Sequence, residues 1–275
     1  MIALVNYSNI KFRKAQRVNT WSAKHIAKFD KIFEYNESDI PKDFYEKHKN
    51  ILDVHRGGGL WLWKPYIVKD ALSKIEDGDI LFYCDSGAFF FRNIKNEFLN
   101  MQDDIWVSDI ALLEKQFSKA DAFVAMDCLD RKYWESNQIQ STVVVVRKCK
   151  KTVEFIDEWL KYCSDERVVS LNPNVMGLNN DDTYIANRED QTALSLLCKK
   201  KGIEPHKDPS QYGKVPEAYL RLKGIILSTK EYKEKEKPFL ILFRSPTVKI
   251  GVFLKQSLLM FLPRKISLAI LSIIR

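Results

Sequence analysis

Apolar residues recur along this chain in two rhythms, short continuous runs and stripes at helical spacing, and the two alternate from the N-terminus onward. Ile2 to Tyr7 is a short apolar run that closes on polar Asn6, Tyr7 and Ser8. It predicts a buried strand whose C-terminal end meets a loop, which sets Tyr7 at the strand edge of a candidate site. Ser22 to Phe29 reads as helix, Lys31 to Tyr35 as a second strand, and Pro41 to Asn50 as a helix entered through a proline in its first turn. Gly57-Gly58-Gly59 then opens an aromatic helix, Leu60 to Ile75, whose Leu60, Trp63, Ile67, Ala71 and Leu72 can share one buried side. After the Asp77-Gly78 turn, Ile80 to Cys84 is nearly all apolar and reads as a central strand ending at Asp85-Ser86-Gly87.

Ala122 to Met126 and Ile139 to Val146 are two further strand candidates, the second carrying four consecutive valines whose branched side chains favour a pleated surface. Lys151 to Tyr162 and Glu189 to Lys200 have helical spacing, and the Asn- and Asp-rich stretch between them, Ser164 to Asn187, reads mostly as loop. The alternation predicts an α/β protein. Lys230 to Lys237 and Pro238 read as a hinge, which divides the chain into a domain over 1–230 and a tail over 231–275.

Composition fits one large domain: 275 residues, 45% hydrophobic, with ten Gly and nine Pro. The five cysteines are scattered and form no CxxC pair, which argues for a reducing compartment. The opening residues lack the basic start and cleavage site of a signal peptide, and no apolar stretch is long enough to span a bilayer, so the expected location is cytoplasmic. Of the formal charge of +8, the segment from Pro238 onward supplies six cations (Arg244, Lys249, Lys255, Arg264, Lys265, Arg275) and no acid, leaving the body at only +2. That distribution speaks against nucleic acid as a partner. The tail's two apolar stretches, Val248 to Leu262 and Ile266 to Ile274, instead suit a pair of amphipathic helices, lying on an anionic membrane surface or packed back on the domain.

In an open α/β sheet, ligands bind beyond the carboxyl ends of the strands, which singles out Tyr7, Asp85 to Gly87 and Asp127. Asp85, leaving an apolar strand, is placed to hold a divalent cation or a ribose hydroxyl, although a solvated turn aspartate has the same sequence. Lys64 sits early in a helix after three glycines, where an anion such as a diphosphate is favoured, and the bland reading is a turn before a core helix. One of Trp61 and Trp63 should be core, and the other a platform for a sugar or base. The four histidines show no metal-ligand spacing, and no serine or cysteine sits in a nucleophile elbow.

Arg56-Gly57-Gly58-Gly59-Leu60-Trp61-Leu62-Trp63-Lys64-Pro65, followed by Asp77-Gly78-Asp79 and the strand to Asp85-Ser86-Gly87, resembles bacterial glycosyltransferases of the type A fold found in capsule and O-antigen gene products. The likeness extends from Ile2 to about Gly202 and includes Ser22-Ala23-Lys24, Phe29-Asp30, Trp159 and Asp190-Gln191. It implies a Rossmann-like GT-A mixed sheet flanked by helices, and an enzyme that moves a hexose from a nucleotide-diphosphate sugar, UDP-linked, to a hydroxyl of a glycan or lipid-linked oligosaccharide. Such an enzyme would be peripheral on the inner face of the cell membrane. In this resemblance Asp85 matches the first acid of an Asp-x-Asp station that holds Mn2+ or Mg2+, while the third position is Gly87, which makes two-acid chelation doubtful. Lys64, Arg56, Lys24 and Arg188 are then the cations available to offset the departing diphosphate. Asp190-Gln191 would line the donor sugar and acceptor, with Asp190 as a base or an orienting group, or as a simple helix cap, and Arg188 stands where the group often shows histidine. Tyr7 falls on the nucleobase side, and Ser86 and Gly87 complete the donor station. The competing expectation is a non-catalytic peripheral membrane or glycan-binding protein that kept the fold after losing the second acid.

Overall fold

The computed structural model describes residues 1–221, 223–232, 237–246 and 248–274. Its strands are β1 (Ile2–Tyr7), β2 (Lys31–Tyr35), β3 (Ile80–Cys84), β4 (Ala88–Phe90), β5 (Ile105–Leu113), β6 (Asn137–Arg147), β7 (His206–Lys207) and β8 (Leu240–Leu242). Six of them form one mixed sheet in the order β2-β1-β3-β6-β5-β7, and β4 and β8 pair separately. β1 is parallel to both β2 and β3, whereas β6 runs antiparallel to β3 and β5. Because β1 has β2 on one side and β3 on the other, the strand order reverses between β1 and β3, and a crevice opens beyond their carboxyl ends.

The period-two alternation of the strands sorts their side chains onto two cores. Ala3 and Val5 of β1, Leu81 and Tyr83 of β3, and Val144 and Val146 of β6 pack on one face with Ile67, Trp159 and Leu194 from the helices Trp63–Ser73, Lys150–Cys163 and Glu189–Lys200. Ile2, Leu4, Ile80, Phe82, Val143 and Val145 point the other way, onto Phe90, Phe98, Trp106 and Phe239. The sheet is thus covered on both faces, as a run of near-continuous apolar strands requires.

Most of the expected elements are present, with three corrections. Ala122 to Met126 is not a strand but the end of a helix, Ala120–Ala125; Asp127 follows it and lies outside the candidate site. A short apolar run does not distinguish helix from strand by its pattern. The strand that does run beside β6 is β5, whose run is broken in sequence by Ser108 and Asp109. Asp109 is buried there and is neutralised by Lys230 at 2.7 Å, a partner far along the chain. Helix also begins earlier than expected, over Arg13–Ser22, with Ala23–Ala27 as a wider terminal turn.

The third correction concerns the tail. Residues 233–236 of the expected hinge lie outside the described residues. Beyond them the chain rejoins the domain: Phe239 is in the core, and Leu240, Ile241 and Leu242 pair antiparallel with Phe90, Phe89 and Ala88. Two helices follow, Ile250–Phe261 and Arg264–Ile274. Leu259 and Leu271 are buried against Val215 and Ala218, and Lys214 donates to the carbonyls of Met260 and Leu262. The helices are packed back on the domain.

Candidate active site

The crevice at the reversal of strand order is a cleft of about 600 Å³. Tyr7 and the loop after β1 line one side, Arg56 to Lys64 another, Asp85 to Gly87 and Ser141 to Thr142 the floor, Arg188 to Gln191 the third wall, and Leu242 with Arg244 the fourth. Its floor follows from sheet register: Cys84 pairs with Val143, so the residue after β3 meets β6 one step earlier, and the Asp85 amide donates to the Thr142 carbonyl at 2.9 Å. Asp85 is thereby held at the mouth of the strand with its side chain 38% exposed, facing the cleft.

Under Asp85 lies a buried ionic centre. The Lys64 ammonium is 2% exposed, 2.7 Å from Asp190 Oδ2 and 3.4 Å from Asp85 Oδ1, and it donates to the Ser141 hydroxyl at 3.0 Å. Tyr83, itself buried, donates its hydroxyl to Asp85 Oδ1 at 2.6 Å. Burial pulls the Lys64 ammonium down, but the carboxylates of Asp190 and Asp85 outweigh it and raise its pKa, so the group stays charged. Burial pushes the Asp190 carboxyl up against the opposing pull of Lys64 and the Ser141 hydroxyl. Lys64 is in the first turn of the Trp63–Ser73 helix, as the sequence suggests, yet its charge is taken up by acids of the protein itself and is not offered to a phosphate.

The glycine run acts by close approach. Gly57, Gly58 and Gly59 all have positive φ, a Cβ on Gly57 would lie 2.2 Å from the Trp61 ring, and one on Gly59 would lie 2.8 Å from the Leu52 backbone. The turn lets Trp63 bury, donate its indole N–H to the Gly57 carbonyl and stack on Tyr7 at 3.8 Å between ring centroids. Trp63 is therefore the core tryptophan, with one side reaching the cleft, while the half-buried Trp61 also lines the cleft, with the Arg56 guanidinium 5.8 Å from its ring.

Of the residues singled out by sequence, Tyr7, Arg56, Lys64, Asp85, Ser86, Gly87, Arg188, Asp190 and Gln191 all line this cleft. Lys24 does not: it is exposed on the terminal turn of the first helix. Ser86 is buried and donates to the Tyr7 carbonyl, tying the ends of β1 and β3 together. Gln191 bridges to Gln138 and Asp190 accepts the Trp159 indole N–H on its carbonyl, which fixes the start of the Glu189–Lys200 helix. Arg56 is committed to Glu189 through its Nε. Arg188 stacks over Phe117 at 4.1 Å, and burial pulls its guanidinium down to about 10.

Sequence reasoning missed Tyr83, Ser141, Glu189 and Arg244. Glu189 had a visible signal, an acid beside Asp190 at a helix start. It is buried, and burial pushes its carboxyl up to about 7 against the pull of Arg56. Arg244 gave none, because its place depends on the pairing of β8 with β4. Trp61, Glu189 and Arg244 also have positive φ (57°, 39° and 44°), an uncommon conformation for such residues and one that concentrates here at the cleft.

The residues present do not fit the divalent cation that an Asp-x-Asp station implies. Asp85 already accepts from Tyr83 and Lys64, Asp190 is closed off by Lys64, and no cluster of three or more His, Cys, Asp or Glu suited to a metal occurs among the described residues.

No protein-family model and no curated relative matches the chain. Among solved structures it is similar to mouse xyloside xylosyltransferase 1, at 10% identity and TM-score 0.43 over 75% of this chain and 84% of that one. It is also similar to the glycosyltransferase GlyE of Streptococcus pneumoniae, at 13% and 0.46 over 94% of this chain and 61% of that one. A third is the galactosyltransferase LgtC, at 12% and 0.38 over 71% of this chain and 70% of that one. These neighbours are glycosyltransferases. At such identities and TM-scores the likeness transfers neither activity nor substrate, and the cleft's own chemistry has to carry the functional reading.

Proposed function

We propose that this chain is a glycosyltransferase that moves a hexose from a nucleotide-diphosphate sugar, UDP-linked, to a hydroxyl of a glycan or lipid-linked oligosaccharide of the capsule or O-antigen kind. The observation that carries the reading is Asp85, fixed at the carboxyl end of a central strand and facing a cleft of about 600 Å³ at the point where strand order reverses. That volume suits a ligand of this size, and the Lys64 centre beneath it locks the acid's orientation. Acceptor deprotonation is assigned to Glu189. Both acids line the cleft and both are ion-paired, Asp190 with Lys64 and Glu189 with Arg56; Glu189 is preferred because burial holds its carboxyl at about 7 in spite of Arg56, near the pH at which a base must give up and take a proton.

The test is release of nucleotide from a panel of nucleotide sugars, by transfer or slow hydrolysis. The reading expects one donor to be consumed and Asp85→Asn to lower the rate about 100-fold or more. No release from any donor by the folded wild-type chain, with and without added glycan acceptors, would sink it.

The membrane surface belongs to the same reading, with the chain peripheral on the inner face of the cell membrane. Ile250, Leu254, Leu258 and Phe261 are exposed at i, i+4, i+8 and i+11 along one helix, a single apolar stripe, and Ile266 is exposed just beyond. Lys249 and Lys265 flank the stripe in a segment without acids, so it presents apolar surface framed by positive charge. Co-sedimentation with vesicles containing anionic lipid should fall at least five-fold in Leu254→Glu/Phe261→Glu. Equal sedimentation of variant and wild type removes the membrane from the proposal.

A further inference from the structure

Gly87 occupies the position at which an Asp-x-Asp station carries its second acid, and the structure shows what stands there instead. The Gly87 carbonyl accepts from the Phe243 amide at 2.9 Å and the Arg244 amide at 3.1 Å. A Cβ on Gly87 would lie 3.1 Å from the Arg244 Cα, so the backbone of the β8 exit is laid directly over the residue. A side chain at this position crowds that backbone, which must give way by a few tenths of an ångström to admit it. The segment that it crowds brings a guanidinium into the cleft, for Arg244 is a lining residue, exposed, 4.9 Å from the Tyr212 ring, and held at a φ of 44° by the two hydrogen bonds to Gly87.

The cleft's charges divide unevenly. Lys11, Arg56, Lys64, Arg188 and Arg244 face Asp85, Glu189 and Asp190. Lys64 serves Asp85 and Asp190, and Arg56 serves Glu189, which uses every acid of the cleft. Neither Arg188 nor Arg244 makes an ion pair with a carboxylate among the described residues; both line the cleft, and Arg244 is close enough to press on the charge of Arg188. Acids act on both from beyond ion-pair distance, Asp208 and Asp85 on Arg244 and Glu189 and Glu114 on Arg188, which leaves the donor forks themselves unpaired by carboxylate, and the planar fork of arginine matches phosphate oxygens two at a time.

We propose that Arg244, delivered by the β4–β8 pairing onto Gly87, forms with Arg188 a clamp for the diphosphate of the nucleotide-sugar donor, and that this clamp replaces the divalent cation. The inference rests on the glycosyltransferase reading for the identity of the ligand, but the clamp itself is a statement about a diphosphate. A diphosphate could also arrive on a lipid-linked acceptor. The donor is favoured because the clamp shares one cleft with Asp85 and the Tyr7–Trp63 stack, and none of the residues of the stripe proposed to meet the membrane lines that cleft.

The experiment is calorimetric titration of the full chain, in EDTA, with inorganic pyrophosphate, UDP, uridine and geranyl diphosphate. Wild type should bind pyrophosphate and UDP without metal, with UDP at least ten-fold tighter than uridine. Arg244→Gln and Arg188→Gln should each weaken both diphosphates at least ten-fold and leave uridine unchanged, while Arg244→Lys recovers part of the loss. The denaturation midpoint of each unliganded variant establishes that it is folded. Binding of pyrophosphate and UDP only when Mn2+ or Mg2+ is added, or unchanged affinity in folded Arg244→Gln, overturns the clamp. Geranyl diphosphate binding more tightly than UDP and lost in Arg244→Gln overturns the assignment to the donor. If the clamp behaves as stated and no nucleotide sugar is ever turned over, it is the glycosyltransferase reading that fails.

Discussion

Lys64 and Arg244 are two cations on one cleft, and the fold treats them oppositely. Lys64 rises from the floor, 2% exposed, with Asp190, Asp85 and Ser141 arranged around its ammonium. Arg244 comes down from the C-terminal wall with the Tyr212 ring beside it, and Asp208 and Asp85 act on it only from beyond ion-pair distance. A buried charge without a partner costs several kcal/mol, so the buried Lys64 and Asp190 have to pair with each other before any ligand arrives, while the second acid, Asp85, keeps an exposed side. The wall is under less demand, because Arg244 keeps surface exposed and has no carboxylate bound to it. The floor therefore sets geometry, and the wall supplies unspent charge. The type of a residue does not say which of these it does; the partners around it do.

The sharpest way to break this contrast is Lys64→Met. It leaves Asp190 buried and unpaired, and urea unfolding should show a loss of about 3–5 kcal/mol. Loss of less than about 1 kcal/mol would mean that the floor is not the self-contained ion centre described. The C-terminal helices offer a second contrast, between packed and open sides of one element. Leu259 is 1% exposed and Leu254 is 56% exposed, so Leu259→Ala should cost about 2–4 kcal/mol and Leu254→Ala less than about 0.5 kcal/mol. Equal effects would detach the helix from the domain.

Gly87→Asp tests the wall more gently. The added Cβ meets Arg244 backbone at 3.1 Å, and the expected cost is about 1–3 kcal/mol of unfolding free energy with no gain of Mn2+ affinity by titration. The smallest effect expected is a slope. Because the folded pKa of Glu189, about 7, lies above its ordinary 4.5, the folded state holds this proton more tightly than the unfolded chain. The associated stability is complete below pH 4.5 and is lost as pH rises through 7. Glu189→Gln should flatten stability against pH across that window, while removing the basic ionisation near pH 7 from the rate profile of any activity. A rate profile unchanged near pH 7 would return the base to another group.

What the sequence disclosed follows the same division. β1, β2, β3 and β6, the Lys150–Cys163 and Glu189–Lys200 helices, and Asp85 at a strand exit were legible because apolar periodicity is a local property. β5 was not, since Ser108 and Asp109 break its run and the neutralising Lys230 is distant in the chain. The helix at Ala120–Ala125 was misread as strand for want of enough residues to show a period. At the site, Asp85 was legible as the residue that follows an apolar strand, whereas Asp190 and Arg188 came from the family resemblance. That Lys64 is spent on Asp190, and that Arg244 faces Gly87, depend on pairings between segments far apart, which no window along the chain contains.

The backbone laid over Gly87 also bears on how this site can change over generations. A second acid there crowds the backbone of Arg244, so regaining it disturbs the segment that brings this arginine to the cleft, next to Leu240 and Leu242 in the interior. The arrangement works as a partial ratchet: once the last strand settles across the loop, the way back to two carboxylates carries a cost in stability at its first step.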